Sequence, residues 1–111
     1  MNILICDDMK NESAILGNLI SRSGFEALVK ILQNGRETLD YVRSGTEVDV
    51  CFLDILMPDM TGVVLADQLR REGFAGEIVF LTASNDYAYQ AFRVNAFDYL
   101  LKPPIDRKSV V

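Results

Sequence analysis

Short apolar runs alternate along the chain with amphipathic stretches, and the alternation repeats five times. Residues 2–6 (NILIC) are a short apolar run of the kind that forms a strand covered on both faces. Residues 11–23 then place Ile15, Leu16, Leu19 and Ile20 at helical spacing, closed by Gly24. Residues 26–32 (EALVKIL) read as a second strand. Asn34 stands as an N-cap with Glu37 three residues on as its capping-box partner, and the helix behind it buries Leu39 and Val42 and stops at Gly45. A third strand is expected over residues 48–53 (VDVCFL), then a loop over 57–62 and a helix through Val64, Leu65, Ala66 and Leu69 ending at Gly73. Residues 77–81 (EIVFL) make a fourth strand, a helix runs through Ala88, Ala91, Phe92 and Val94, and residues 98–101 (DYLL) make a short fifth strand.

Strand and helix in strict alternation, with connections of a few residues, define an α/β protein: a parallel sheet with helices on both faces. A fifth helix should follow the fifth strand. After Pro104 only seven residues remain (IDRKSVV), about two turns at most. A short or truncated fifth helix is therefore expected, since an uncovered flank of a parallel sheet exposes apolar surface.

Length and composition narrow the function. The 111 residues make one domain, and 50% hydrophobic against 24% charged content can bury a real core. Sixteen acidic against 11 basic residues give a net charge of −5. Phosphate neutralisation needs a basic face, so direct nucleic-acid binding by this chain is disfavoured. The absence of histidine removes imidazole acid–base catalysis, the Ser-His-Asp triad and histidine-ligated metals together. Cys6 and Cys51 both sit within apolar runs and are expected as buried, inert thiols. No run is long enough to cross a bilayer, and the N-terminus lacks the basic start and long apolar region of a secretory signal. No membrane contact and a cytoplasmic location are the expectation.

Ligands of open parallel sheets gather at the carboxyl ends of the strands. Asp7 and Asp8 follow the first strand, Asp54 ends the third, Thr82 and Ala83 end the fourth, and Lys102 and Pro103 follow the fifth. Three carboxylates, a hydroxyl and an ammonium thus converge on one rim. Carboxylates so close together either hold protons or share a hard cation. An all-oxygen set points to Mg²⁺, with Mn²⁺ as the alternative, and not to Zn²⁺. Lys102 and Thr82 suit the equatorial oxygens of a phosphoryl group, and the available acceptor is a carboxylate.

Each residue also has a plainer role. Asp7 and Asp8 could cap the following helix, Thr82 could serve a turn, and Lys102 could be a solvated charge. Asp54 is harder to explain away, because five of the six residues before it are apolar. The coincidence of all five on one rim favours the site.

The set Asp7-Asp8, Asp54 in D-I-L-M-P-D-M-T-G, Thr82-Ala83 and Lys102-Pro103 resembles the receiver domain of bacterial two-component response regulators, from residue 2 to about residue 105. The resemblance implies a flavodoxin-like (CheY-like), doubly wound sheet of five parallel strands in the order 2-1-3-4-5. It implies that Asp54 is the phosphoacceptor, modified to 4-aspartylphosphate by a sensor histidine kinase. Asp7, Asp8, Asp54 and the main-chain carbonyl of Leu56 would hold Mg²⁺. Thr82 and Lys102 would grip the phosphoryl oxygens, and Tyr99 would be the aromatic switch that follows Thr82. The Lys102–Pro103 bond matches a position that is usually cis in the family. Pro104 departs from the pattern and bears on the start of the fifth helix.

The stretch over residues 85–103 (NDYAYQAFRVNAFDYLLKP) is similar to receivers attached to LytTR-type DNA-binding domains. That likeness implies the regulatory part of a transcription factor, dimerising through the face of the fourth helix, fifth strand and fifth helix, with its DNA-binding domain absent from this chain. Of the aromatics on the fourth helix, ordinary packing of Ala88, Ala91 and Phe92 is the main expectation, and Tyr87 or Tyr89 the candidate for an exposed partner surface. No enzymatic activity is expected beyond the receiver's own phosphotransfer and dephosphorylation. Three rivals remain. A stand-alone receiver acting by protein contact differs only beyond Val111. A haloacid-dehalogenase-like phosphatase needs a second acid two residues after its nucleophile, where Leu56 stands. A flavodoxin-like cofactor binder needs a Ser/Thr-rich phosphate loop, where Asp7 and Asp8 would repel phosphate.

Overall fold

A computed structural model describes residues 1–102. Five strands and four helices alternate: β1 (Asn2–Cys6), α1 (Lys10–Arg22), β2 (Leu28–Leu32), α2 (Gly35–Arg43), β3 (Val50–Leu53), α3 (Gly62–Arg71), β4 (Glu77–Thr82), α4 (Ala88–Arg93) and β5 (Asp98–Leu101). All strand pairs are parallel and lie in the order β2-β1-β3-β4-β5. The chain doubles back at β1, which pairs β2 on one side and β3 on the other. That reversal opens a crevice beyond the carboxyl ends of β1 and β3.

The alternation of side chains along each strand divides the interior into two layers. Leu4, Cys6, Cys51, Leu53, Ile78 and Phe80 share one buried cluster with Leu39, Leu65, Leu69 and Ala91 of α2, α3 and α4 and with Val94 just past α4. Ile3 and Ile5 face the other way, toward α1. The free thiols of Cys6 and Cys51 lie inside the first layer, where burial pushes Cys6 up to about 12 and raises Cys51 as well. Among the described residues, α1 alone covers the second layer. The expected fifth helix, the Lys102–Pro103 bond and Pro104 lie outside the described residues.

The helix ends follow local chemistry. Asn34 Oδ1 accepts from the Glu37 backbone N–H at 2.8 Å, and Asn34 Nδ2 donates to Glu37 Oε1 at 2.7 Å, a reciprocal cap of the kind the spacing implied. Thr61 caps α3 through the Val64 N–H. Gly45 and Gly73 take positive φ of 88° and 92° just past α2 and α3, the left-handed turn that glycine adopts at least strain.

Two helix faces differ from the sequence expectation. Helix α1 lays Ser13 and Gly17 against the sheet, with Gly17 beside Ile31 and Val29. Ile15 and Leu19 of its apolar stripe are instead exposed, and Leu16 and Ile20 half-buried. Small residues at the contact let the helix backbone approach the strands closely, and this rotates the larger side chains outward. On α4, Ala88 is exposed and Phe92 is 79% exposed, so of the three residues expected to pack inward Ala91 alone is buried. The helix has six residues, less than two turns, and presents Ala91 as its one buried position.

Candidate functional site

Asp7 stands immediately after β1 and Asp54 immediately after β3, so both carboxylates enter the crevice where the strand order reverses. The neighbouring strand ends fix their backbones: Asp7 N–H donates to the Leu32 carbonyl and Asp54 N–H to the Cys6 carbonyl. Lys102, which follows β5, is tied to β4 by its backbone N–H on the Thr82 carbonyl at 2.8 Å. From there its side chain crosses the rim. Lys102 Nζ donates to Asp7 Oδ2 at 2.8 Å, to Asp54 Oδ2 at 3.0 Å and to Glu12 Oε2. An ammonium has three N–H donors, and all three are engaged.

The second oxygens of the two aspartates are also held. Asp7 Oδ1 accepts from Met9 N–H at 2.9 Å, and Asp54 Oδ1 from Ile55 N–H at 2.7 Å. So Asp7 does steady the start of α1, the plainer role open to it, while also facing Lys102. The side chains of Asp7, Asp54 and Lys102 are 7%, 7% and 12% exposed. Burial raises Asp7 above the usual carboxylate range, against the pull of Lys102 and the Met9 N–H. Burial likewise weighs against the charge of Lys102, but the hydrogen bonds to Asp7, Glu12 and Asp54 outweigh it and hold the ammonium above its ordinary range. These bonds favour the charged form of Lys102.

Three carboxylates against one ammonium leave two negative charges uncompensated. One oxygen from each of Asp7, Glu12 and Asp54 lies within 4.8 Å of the others. A compact, all-oxygen cluster of this charge fits a hard divalent cation such as Mg²⁺ or Mn²⁺. Asp8 is half-buried beside Asp7 but is not part of this close cluster, and Glu12 takes the third place. Sequence reasoning missed Glu12. An acid in the first turn of a helix is ordinary there, since it complements the helix dipole. Leu56, two residues past Asp54, sits in the β3–α3 loop with its side chain exposed.

That loop is pinned from two directions. At Gly62, the first residue of α3, a Cβ would fall on the Asp54 carbonyl, so only glycine allows α3 to start so close to the site. Asp59 reaches across to α2, accepting from the Gly35 and Arg36 N–H groups at 3.1 and 3.0 Å. Burial weighs against its charge, but these bonds and one from Met60 N–H outweigh it and keep the carboxyl below its usual range.

Thr82 ends β4 fully buried, and its Oγ1 accepts a long 3.4 Å bond from Ser84 N–H. Tyr99 on β5 packs its ring against Phe80 at 6.1 Å between centroids and donates its hydroxyl to the Ser84 carbonyl. Ser84 thus touches both Thr82 and Tyr99. Beyond it, Tyr87 packs against the core, while Tyr89, Phe92, Phe97 and Leu101 are exposed along α4 and β5.

This arrangement has close counterparts. Residues 3–110 match the response regulator receiver domain, and the chain belongs to that family: it is a bacterial two-component receiver domain. Over 103 residues it is 40% identical to an uncharacterized response regulatory protein of Vibrio cholerae, covering 93% of this chain and 43% of that one. It is 34% identical over 103 residues to the transcriptional regulatory protein YpdB of Escherichia coli K12, with 93% and 42% covered. The chain thus spans less than half the length of these curated relatives. The crystal structure of response regulator TrrA from Thermotoga maritima, in complex with Mg²⁺-BeF, superposes with a TM-score of 0.81 at 28% identity, covering 92% of this chain and 86% of that one.

Proposed function

We propose that Asp54 accepts a phosphoryl group from a histidine of a sensor kinase, and that the charge so added switches the α4–β5 surface. The observation that carries this reading is Lys102 held across the rim between Asp54 and Asp7. A cation at this site, Mg²⁺ as in the TrrA complex or Mn²⁺, would neutralise charge on the transferring group. Asp7 and Asp54 would hold it, joined in the family pattern by Asp8 and the Leu56 carbonyl; the uncompensated negative charge around Asp7 and Asp54 supports a cation there.

Asp54 Oδ attacks phosphorus as the bond from phosphorus to the donor breaks. The donor's electrons leave with the imidazole, which picks up a proton from water. Lys102 is already within hydrogen-bond reach of the attacking carboxylate and needs only to exchange a carboxylate oxygen for a phosphoryl oxygen. Its charge and prior orientation stabilise charge developing on the phosphoryl oxygens. Hydrolysis reverses the modification: water attacks phosphorus and the Asp54 carboxylate leaves. The reaction is one of self-modification, and this chain is a regulatory phosphoacceptor with no other substrate.

Thr82 offers the remaining donor. Among the described residues its hydroxyl is held only by the long bond from Ser84 N–H, so turning to a phosphoryl oxygen gives up little. Ser84 then shifts, and the Tyr99 hydroxyl on its carbonyl shifts with it. That sequence links a local electrostatic event to the exposed aromatic surface. Tyr89, Phe92, Phe97 and Leu101 give this surface the apolar, aromatic character of an interface, and its occupant is a second copy of the chain. The likeness to YpdB, a transcriptional regulator more than twice as long, supports a LytTR-type DNA-binding domain as the output of the whole protein. The net charge of −5 supports nucleic-acid contact through that domain more than through this one. Among the described residues no helix is long and apolar enough to cross a membrane. Phosphotransfer from a sensor histidine kinase supports a cytoplasmic location.

Beryllium fluoride with Mg²⁺ tests the site and the switch together. The wild-type chain is expected to shift the amide resonances of Thr82, Ser84 and Tyr99 and to form a dimer by light scattering, with Asp54→Asn responding in neither. Unchanged resonances in the wild type, or the same response in Asp54→Asn, would overturn the reading.

A further inference from the structure

The three acceptors of Lys102 come from three different elements: Asp7 from the end of β1, Asp54 from the end of β3 and Glu12 from the first turn of α1. They are not equivalent. Asp7 and Asp54 stand in the crevice, each with its other oxygen held by a backbone N–H. Glu12 sits at the rim with its side chain 25% exposed, more open than either aspartate.

Phosphoryl transfer changes what each acceptor can give. If Asp7 and Asp54 turn oxygens to a bound cation, Lys102 loses part of its hold on both. When Asp54 becomes the acyl phosphate, its carboxylate charge moves out onto the phosphoryl oxygens. Lys102 must nonetheless stay over Asp54 throughout, on a flexible four-carbon stem with large rotamer entropy to lose. Glu12 is neither modified nor in the ligand set proposed above, although its oxygen lies within 4.8 Å of one from each aspartate.

We propose that Glu12 is a positioning residue for phosphoryl transfer, the carboxylate that keeps Lys102 over Asp54 once Asp7 and Asp54 are committed to the cation. The inference rests on the reading of Asp54 as phosphoacceptor. Glu12 makes no bond to the transferring group. It takes one N–H of Lys102 and leaves the other two directed into the crevice. An exposed acid in the first turn of α1 without this contact would contribute only its favourable place near the helix dipole.

The test compares the wild type with Glu12→Gln, which keeps the shape and an acceptor oxygen but removes the charge. Glu12 is at the surface of α1, so the variant is expected to fold, checked by far-UV circular dichroism. At saturating Mg²⁺ the side-chain methylene resonances of Lys102, assigned by their loss in Lys102→Ala, are expected to be dispersed in the wild type. In Glu12→Gln they collapse toward those of exposed lysines. The maximal rate of phosphorylation by acetyl phosphate falls about fivefold, the weight of one partly exposed charge pair. Mg²⁺ affinity by titration calorimetry falls no more than about twofold, as for one screened charge nearby. An ordered Lys102 in Glu12→Gln, or a wild-type rate, overturns the proposal. A tenfold or greater loss of Mg²⁺ affinity also overturns it, by making Glu12 a metal ligand. Failure of the wild type itself to take up phosphate would strike the reading of Asp54, and the lysine resonances report on Glu12 independently of it.

Discussion

Lys102 reaches Asp54 across 48 residues of sequence, with Nζ 3.0 Å from Oδ2. No element of the fold joins the two directly. Lys102 follows β5 and Asp54 follows β3, with β4 between the two strands in the sheet. The contact exists because a parallel sheet sends every strand's carboxyl end to the same rim, and because a lysine is long enough to cross it. The same ammonium also meets Asp7 and Glu12. It is the only cation paired within this cluster among the described residues, and the site is built around it.

Replacing Lys102 with alanine leaves three clustered carboxylates facing one another. The expected loss is roughly 2–3 kcal/mol, below that of a fully buried pair because the rim admits some water. Added Mg²⁺ should restore a larger share of stability to Lys102→Ala than to the wild type, because it binds only the folded cluster. Urea unfolding with and without Mg²⁺ measures both. Equal responses to Mg²⁺ would show that lysine and cation do not share the same carboxylates.

Asp7 predicts a trade of stability for function. Burial raises its carboxyl above the ordinary range. The native state thus binds the proton more readily than the unfolded chain, so ionised Asp7 subtracts stability at neutral pH. That penalty fades as pH falls through the raised value and is gone near ~3.5, where the unfolded carboxyl is also protonated. Without Mg²⁺, Asp7→Asn is expected to be more stable than the wild type at pH 7, with the difference closing in acid. With Mg²⁺ the wild type gains and Asp7→Asn does not. A less stable Asp7→Asn at pH 7 would mean that the Lys102 ion pair outweighs the burial penalty.

Tyr99→Phe removes only the hydroxyl that meets the Ser84 carbonyl. About 1 kcal/mol should be lost in urea unfolding. Phosphorylation of Asp54 should proceed at the wild-type rate, while phosphate-dependent dimerisation weakens. A slower phosphorylation would place Tyr99 in the chemistry and not downstream of it.

Arg70 ties the end of α3 to the end of α4. Its Nε donates to the Val94 carbonyl at 2.8 Å, Nη1 to Phe74 and Gly76, and Nη2 to Asn95. Four carbonyls lose their partner in Arg70→Ala, at an expected cost of about 2–3 kcal/mol. Arg70→Lys should recover little, because an ammonium cannot reproduce the planar fork. Full rescue by lysine, in urea unfolding, would show that charge alone matters there.

The strands were legible because each is an apolar run, and a buried parallel strand needs nothing more from its sequence. β1 and β5 fall where the pattern put them, and β2 and β3 start two residues later than expected, after loops that carry apolar residues of their own. The meeting of Asp7, Asp54 and Lys102 was legible because each follows such a run. The helix faces were harder. Periodicity finds Ile15 and Leu19, but close approach to the sheet selects Ser13 and Gly17, and a hydrophobic count does not see small residues. Glu12 and Asp59 were hidden for another reason. An acid in a first helical turn or in a loop is ordinary until the fold brings it to Lys102 or to the start of α2.

Intact mass spectrometry after incubation with acetyl phosphate bears most directly on Asp54. With Mg²⁺ the wild-type chain is expected to gain the mass of one phosphoryl group, to gain none in EDTA, and Asp54→Asn to gain none in either. A wild type that stays unmodified with Mg²⁺, or an Asp54→Asn chain that gains the same mass, would contradict the account.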